Sequence, residues 1–411
     1  MKPYVILGNG VAAAHCIEGI RSVDKETPIT VVSAETHPVY CRPLISYYLE
    51  GRTEPARMNY RPEDFYAKNN CTVLYGRTAT AMDAAQKTVA LDDGGVLPYT
   101  ALCVATGSSP FVPPTEGLDS VEQKFTFLTL DDAIALKQAA TGKSRVLIVG
   151  AGLIGLKCAE GLRPLVKEIT VCDLADRVLS SILDNDCAAR MQARLEQNGV
   201  RFLLSDTAVR YEKNTALMKS GKQVDFDLLV LAVGVRANTT LIKNCGGKTE
   251  RGILVDDRMQ TSLPDVYAAG DCTQGMDASI GQQRVLAILP NASLQGHCAG
   301  INMAGGDAVF SNAIPMNAIG FFGLHALSAG SDCGGEVYEE TDERHLKRLF
   351  SKDNRLTGYM LIGDVARAGI YTSLIREQTP LDTLDFERLK QSPTTTAFPQ
   401  RERRHKFGGA V

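Results

Sequence analysis

Apolar residues recur along this chain in two rhythms, and each change of rhythm marks an element. Tyr4-Val5-Ile6-Leu7 is a short β-rich run. After Gly8-Asn9-Gly10 the apolar spacing turns helical as far as Arg21. The same switch returns 142 residues later, with Gly150 where the first copy has Gly8. There, Val146-Leu147-Ile148-Val149 runs into Gly150-Ala151-Gly152 and a second amphipathic helix. Each helix is followed by an apolar strand, Ile29–Val32 and Ile169–Cys172, and each strand leads to an acid, Glu35 or Asp173. Strand, glycine turn, helix, strand and acid form the layout of a dinucleotide-binding fold. One G-x-G-x-x-G is weak evidence; two copies, each with strand, helix and acid in the expected order, are strong.

More strands follow. Leu102–Val104 runs into Ala105-Thr106-Gly107, Leu228–Val233 ends at Gly234, and Asp265–Ala269 leads to Gly270-Asp271. Leu289-Pro290-Asn291-Ala292 opens a predicted helix to about Met303, with proline in the favoured first turn. Ile314–Gly330 reads as buried strand and turn. Beyond residue 312, strands Leu346–Phe350 and Gly358–Ile362 flank the turn Lys352–Arg355, and a helix is expected over Ala366–Glu377. The predicted class is α/β: two Rossmann-like dinucleotide-binding domains plus a C-terminal α+β interface domain. From Pro393 the chain is rich in Thr, Pro, Arg and Gly, so 393–411 is expected to be a flexible tail.

Charge and cysteine usage narrow the function. With 44 basic and 47 acidic residues the net charge is -3, which calls for neither a nucleic acid nor an anionic membrane. Apolar runs such as Leu228–Val235 fall short of the roughly 20 residues that span a bilayer, so no membrane insertion is expected. Met1-Lys2-Pro3 leads straight into a strand, without the core of a signal peptide. The 11 cysteines contain no C-x-x-C and no C-x4-C, which excludes the local signatures of zinc ribbons, iron–sulfur clusters and dithiol centres. No metal site is expected. Scattered free thiols suit a reducing compartment, and a cytoplasmic location is expected.

The two glycine turns carry the chemistry. Gly8 and Gly10 let the backbone approach a pyrophosphate, and the following helix offers unpaired N–H groups to it. The third position is Ala13, and Glu35 is expected on the adenosine ribose. The second copy is complete, with Gly150, Gly152 and Gly155 enclosing Leu153 and Ile154. Asp173 is expected to bind ribose hydroxyls and repel a 2′-phosphate, which favours NAD over NADP. Arg177, four residues on, either softens that preference or is a solvated helix-end residue. Gly234 closes the second copy and is assigned to the NAD site. Two such sites in one chain imply a relay, with resident FAD in one and diffusible NAD in the other. Asp271 is expected on the flavin ribityl chain. The helix opening at Pro290-Asn291 would aim its positive end at the flavin N1–C2=O edge.

These segments, with Tyr40-Cys41-Arg42-Pro43-Leu44-Ile45-Ser46, Gly150–Lys157, Gly234-Val235-Arg236-Ala237-Asn238, Ile314-Pro315-Met316-Asn317 and Gly363-Asp364-Val365, carry a resemblance. The chain resembles the FAD-dependent pyridine nucleotide oxidoreductases of the glutathione-reductase fold. It is most similar to the branch of NADH:rubredoxin reductases and the flavin portion of nitrite reductases. The resemblance spans about residues 3–390. It implies FAD binding by 1–110 and 243–312, NAD binding by 111–242, an interface domain at 313–392, and a homodimer as one assembly. It also implies that Arg42 and Pro43, with Ala105, Thr106 and Gly107, lie against the FAD. The chain departs from related ferredoxin reductases at two positions: Tyr47 replaces their lysine and Lys157 their glutamate. Lys157 is expected near the flavin–nicotinamide junction, stabilising negative charge; the alternative is a solvated helix lysine. In single-cysteine relatives the cysteine falls at Pro43, so Cys41 reads as a small polar turn residue. His297 and Cys298 are expected as packing residues, and His325 as a core histidine.

Without a cluster motif of its own, the chain is expected to pass electrons from NADH through FAD to a separate small iron–sulfur carrier of ferredoxin or rubredoxin type. Two alternatives stand beside this. One is an NADH-dependent reductase of a disulfide, peroxide or oxygen acting through Cys41. The other is a flavin-bearing subunit of a larger redox complex. Arg401, Arg403, Arg404 and Lys406 either attract an acidic carrier or form a solvated tail.

Overall fold

The computed structural model of the chain describes residues 2–332, 335–401 and 403. The first apolar run forms the central strand Tyr4–Leu7 of a five-stranded parallel sheet. Its order is Val266–Ala268, Leu102–Val104, Tyr4–Leu7, Ile29–Ser33, Cys71–Tyr75. Tyr4–Leu7 and Leu102–Val104 are buried along their whole length, so they read as continuous apolar runs. An antiparallel meander, Ala79–Asp83, Thr88–Leu91 and Val96–Pro98, is inserted before the fourth strand in sequence. This is the half expected to bind the flavin, called the flavin half below.

The half expected to bind the nicotinamide nucleotide, called the nicotinamide half below, repeats the plan. Its parallel sheet runs Val200–Leu204, Glu168–Asp173, Arg145–Val149, Leu228–Leu231, Lys124–Phe125. Its meander is Ala208–Glu212, Thr215–Met218 and Gln223–Asp225. Tyr211, Ala216, Met218 and Phe226 pack beneath that meander against Leu147, Val149 and Leu229.

Four helices matter for the sites: α1 (Val11–Val23), α2 (Ile45–Glu50), α3 (Leu130–Ala139) and α4 (Leu153–Leu162). A fifth, α5 (Leu289–Met303), starts with Pro290 in its first turn. Here α2 belongs to the flavin half, whereas α3 and α4 belong to the nicotinamide half. Gly161 of α4 lies so close to α2 that a Cβ there would stand 2.8 Å from both Leu49 Cβ and Ser46 O. Strands Ser108–Pro110 and Val235–Ala237 pair antiparallel where the chain crosses between the halves. The two halves, expected as separate domains, therefore form one compact unit: the chain up to Ser181, with Leu195–Gly275 and Gln283–Phe310.

The second unit holds Ile182–Arg194, Met276–Gln282 and the described residues from Ser311 on. Its antiparallel sheet runs Met316–Phe321, Leu324–Gly330, Arg355–Ile362, Leu346–Lys352, Glu336–Thr341. The helix Gly369–Arg376 buries Tyr371, Leu374 and Ile375 in its core.

Three expectations need correction. Residues 393–398 are not a loose tail: Thr394 caps a short turn, and Ala397 and Phe398 are buried in the second unit's core. Arg404 and Lys406 lie outside the described residues, as does Cys333. His325 is exposed, because strand alternation sends Ala326 inward and His325 out, above Gly320 on the neighbouring strand. His297 is also exposed: α5 turns Gln295, Cys298 and Asn302 inward, and His297 falls off that stripe. Cys298 packs as expected, at 4% exposure.

Candidate dinucleotide sites

Both glycine turns are forced by close approach. Gly8 has φ +105°, and a Cβ on it would lie 2.1 Å from the carbonyl oxygen of Ala105. Gly150 has φ +117°, and its Cβ would lie 2.2 Å from that of Ala232. No L side chain fits either place. One step on, Gly10 and Gly152 are the N-caps of α1 and α4, with no atom within 4 Å of where a Cβ would be. Each helix thus points its first-turn N–H groups into open space, at the strand ends where open α/β sheets bind ligands. The third position differs. A Cβ on Gly155 would lie 2.0 Å from Gly150 O, whereas Ala13 is accommodated with its Cβ fully buried.

In the flavin half, the Glu35 carboxylate faces two neighbours. Its Oε1 accepts from Arg42 Nη2 and its Oε2 from the Tyr40 hydroxyl, both at 2.6 Å. Arg42 also donates through Nη1 to the Leu128 carbonyl, 2.9 Å away. Across the same opening Asp271 follows the strand Val266–Ala268. Burial pushes its carboxyl up and the Arg42 charge pulls it back. Asp271 forms no side-chain hydrogen bond among the described residues. Pro43, next to Arg42 in the sequence, is exposed, and Asn291 is fully buried in the first turn of α5. Ala105 is buried. Thr106 and Gly107 are tied to the other half: the Asn238 side-chain amide donates to Thr106 O at 2.8 Å, and Asn238 N–H donates to Gly107 O at 3.0 Å.

An FAD fits these residues. Gly10 and Gly107 leave space around the turn, Arg42 is a half-buried cation between two carboxylates, and Asp271 has acceptor oxygens unused among the described residues.

In the nicotinamide half, Asp173 joins the glycine turn to its own loop. Oδ2 accepts from Ala151 N–H at 2.6 Å and Oδ1 from Ala175 N–H at 2.8 Å. Leu174 is 64% exposed beside it. Arg177 pairs with Asp176 at 3.0 Å. Leu153 and Ile154 are half-buried on the first turn of α4, and Gly234 is exposed with nothing within 4 Å of a Cβ position. An NAD fits here: Gly152 leaves open space at the start of α4, and backbone N–H groups already orient the Asp173 carboxylate expected on the ribose.

Lys157, on α4, is brought to the flavin half. Its ammonium lies 5.9 Å from the Tyr47 ring centroid and 2.7 Å from Glu160, which is 8% exposed. Cys41 is half-buried, and burial pushes its thiol up.

Sequence reasoning names Tyr40 and Asn238 only as members of matching segments, without a role, and passes over Glu160. Only Glu160 leaves a local signal, its i,i+3 spacing from Lys157. The other contacts join residues about 90 and 130 positions apart, where no periodicity reaches.

The model of one family, pyridine nucleotide-disulphide oxidoreductase, matches residues 2–296. The chain belongs to that family. It is an NAD(P)H-dependent flavoprotein oxidoreductase. The chain is 34% identical to subunit epsilon of the NADH-dependent phenylglyoxylate dehydrogenase of Aromatoleum evansii, over 93% of each chain. It is 31% identical to the rubredoxin-NAD(+) reductase of Alcanivorax borkumensis, over 89% of this chain and 96% of that one. The reductase in the covalent putidaredoxin reductase–putidaredoxin complex has the same fold, with TM-score 0.86 and 23% identity, covering 92% of this chain and 94% of that one. Among the described residues no helix is long and apolar enough to cross a membrane, and no group of three His, Cys, Asp or Glu residues is placed to hold a metal.

Proposed function

We propose that the protein takes electrons from NADH and delivers them, one at a time, to a separate iron–sulfur carrier. The observation that carries this reading is the pairing of two glycine-turn and helix sites with no disulfide and no metal-holding cluster among the described residues. The described cysteines are all free, and burial raises the thiol of the one in the Arg42 turn. Bound FAD supplies what no side chain can: it accepts a hydride and releases single electrons.

The chain's own residues bind and orient. Gly8, Gly10, Ala13 and the N-terminus of α1, with Arg42, hold the FAD pyrophosphate; Ala105, Thr106 and Gly107 line the turn beside it. Glu35 takes the adenosine ribose and Asp271 the ribityl chain. The first turn of α5, at Pro290 and Asn291, sets a positive dipole end for the flavin carbonyl edge. Gly150, Gly152, Leu153, Ile154, Gly155 and Gly234 receive the NADH pyrophosphate. Asp173 reads the ribose, and with Arg177 engaged by Asp176, NADH is preferred over NADPH. Lys157, held by Glu160, keeps a positive charge at the junction of the halves. The names of relatives support the carrier: one is a rubredoxin reductase.

A second reading keeps this chemistry and makes the carrier a fixed neighbour. It is favoured by the likeness to a dehydrogenase subunit along nearly the whole chain. Reduction through Cys41 is disfavoured, since a raised thiol supplies little thiolate near neutral pH.

Anaerobic titration tests the proposal. NADH bleaches the flavin absorbance, and oxidised rubredoxin or ferredoxin restores it. A flavin that NADH leaves oxidised ends the reading. Lys157→Met is expected to slow bleaching at least tenfold while leaving FAD bound, and Cys41→Ser to leave the rate within about twofold.

A further inference from the structure

Residues 35–42 of the flavin half meet the first turn of α3, in the nicotinamide half, at three points. The Tyr40 hydroxyl accepts from the Leu130 N–H at 2.9 Å. Arg42 donates to the Leu128 carbonyl at 2.9 Å. His37 Nε2 lies 2.8 Å from Asp131 Oδ1. Behind these contacts Glu35 binds Tyr40 and Arg42 together, and the Arg42 guanidinium stands 5.2 Å from the Tyr40 ring centroid.

The first-turn amides of a helix have no carbonyl partner of their own. In α3 a local capping box serves part of this need. Thr129 Oγ1 accepts from Asp132 N–H, and Asp132 Oδ2 accepts from the N–H groups of Leu128 and Thr129. The Leu130 amide is served instead by a phenol from the other half. Tyr40 is 7% exposed, and burial keeps its phenol neutral, so the hydroxyl can donate to Glu35 while it accepts from Leu130.

Arg42 therefore answers to two sites. It faces the position assigned above to the FAD pyrophosphate, and it also fixes the carbonyl that precedes α3. A dianionic pyrophosphate beside Arg42 would compete with Glu35 for its hydrogen bonds, and Glu35 in turn holds Tyr40. Whatever settles this trio also settles the start of α3. Downstream, α3 leads into Arg145–Val149, the strand that delivers Gly150.

We propose that Tyr40 is a positioning residue that couples the FAD site to the nicotinamide half, so that FAD occupancy raises affinity for NAD. This rests on the assignment of Arg42 to FAD. Linkage makes the effect reciprocal: NAD must tighten FAD by the same factor.

The test uses the full chain, loaded with FAD and freed of it. Calorimetry gives the NAD+ affinity in each form, and flavin fluorescence gives the FAD affinity. In wild type, FAD is expected to tighten NAD+ binding about tenfold, within the usual range of coupling. In Tyr40→Phe that ratio should fall to about twofold or less, whatever happens to each affinity alone. A lost contact that was merely structural would weaken binding without changing the ratio. A wild-type ratio of one, or an unchanged ratio in Tyr40→Phe, overturns the coupling. Wild-type protein that binds no FAD overturns the functional reading instead. If Tyr40→Phe fails to fold, hydrogen exchange in the wild type decides: FAD should protect the Leu130 amide, and unaltered exchange overturns the coupling.

Discussion

A Cβ on Gly8 would meet the Ala105 carbonyl at 2.1 Å, and a Cβ on Gly150 would meet the Ala232 carbonyl at 2.2 Å. The two halves agree this closely at the first glycine, in sheet order and in the inserted meander. They part at the acid that ends the second strand. In the flavin half Glu35 is bound into a network with Tyr40 and Arg42 that reaches α3. In the nicotinamide half the Asp173 carboxylate accepts from backbone N–H groups, those of Ala151 and Ala175, and makes no side-chain hydrogen bond with another charged group among the described residues. A resident cofactor can be tied to the rest of the molecule, because it never has to leave. A diffusible one is best met by a site whose parts hold each other locally, so that binding and release disturb little else.

The hardest way to break the symmetry is at the first glycine. Gly8→Ala and Gly150→Ala each place a Cβ about 2 Å from a carbonyl oxygen, at a backbone angle that itself costs about 1–3 kcal/mol. Gly8→Ala should give colourless protein that has lost its FAD. Gly150→Ala should stay yellow and lose NADH binding by at least a hundredfold. Absorbance spectra and NADH titration read both. The same loss in both variants would deny that the halves serve separate cofactors.

The third position sharpens the contrast. Gly155→Ala drives a Cβ to within 2.0 Å of Gly150 O, and the apparent NADH Kd should rise at least tenfold. Ala13→Gly loses only a buried methyl and some helix propensity, about 1–2 kcal/mol, and should keep its FAD. Thermal melts and flavin content separate the two.

A smaller effect is expected at Asp173. Asp173→Ala removes both the ribose acceptor and the bond to Ala151 N–H, so NADH affinity should fall about tenfold, or about 1.4 kcal/mol. Preference over NADPH should narrow in steady-state kinetics. An unchanged NADH-to-NADPH ratio would remove Asp173 from the specificity site.

The smallest effect is a pH dependence confined to the flavin half. Burial raises the Asp271 carboxyl, so the folded FAD-free chain holds that proton more tightly than the unfolded chain. Stability then falls as pH rises from the ordinary carboxylate value, about 3.9, through the raised one. Asp271→Asn should therefore melt slightly higher than wild type at pH 7 without FAD, and the gain should vanish near pH 4. Paired melts at the two pH values check the sign. The same substitution should weaken FAD retention.

The sequence by itself determined the elements that rest on neighbours along the chain. A strand of alternating or continuous apolar residues, a glycine turn and a 3.6-residue stripe are each specified within a dozen positions, so both dinucleotide folds, Lys157 on its helix and the helix at Pro290 were legible. The same local reading was too coarse for phase. His297 and His325 sit among apolar residues, yet the stripe of α5 and the pleat of Leu324–Gly330 turn both outward. Partnership lay beyond it altogether. That Tyr40 caps a helix about 90 residues away, that Arg42 reaches the Leu128 carbonyl, and that Phe398 closes a core were decided only by the tertiary structure. Such contacts form because a buried amide, carboxylate or ring must find a partner in space, and packing of the whole chain determines which one is there.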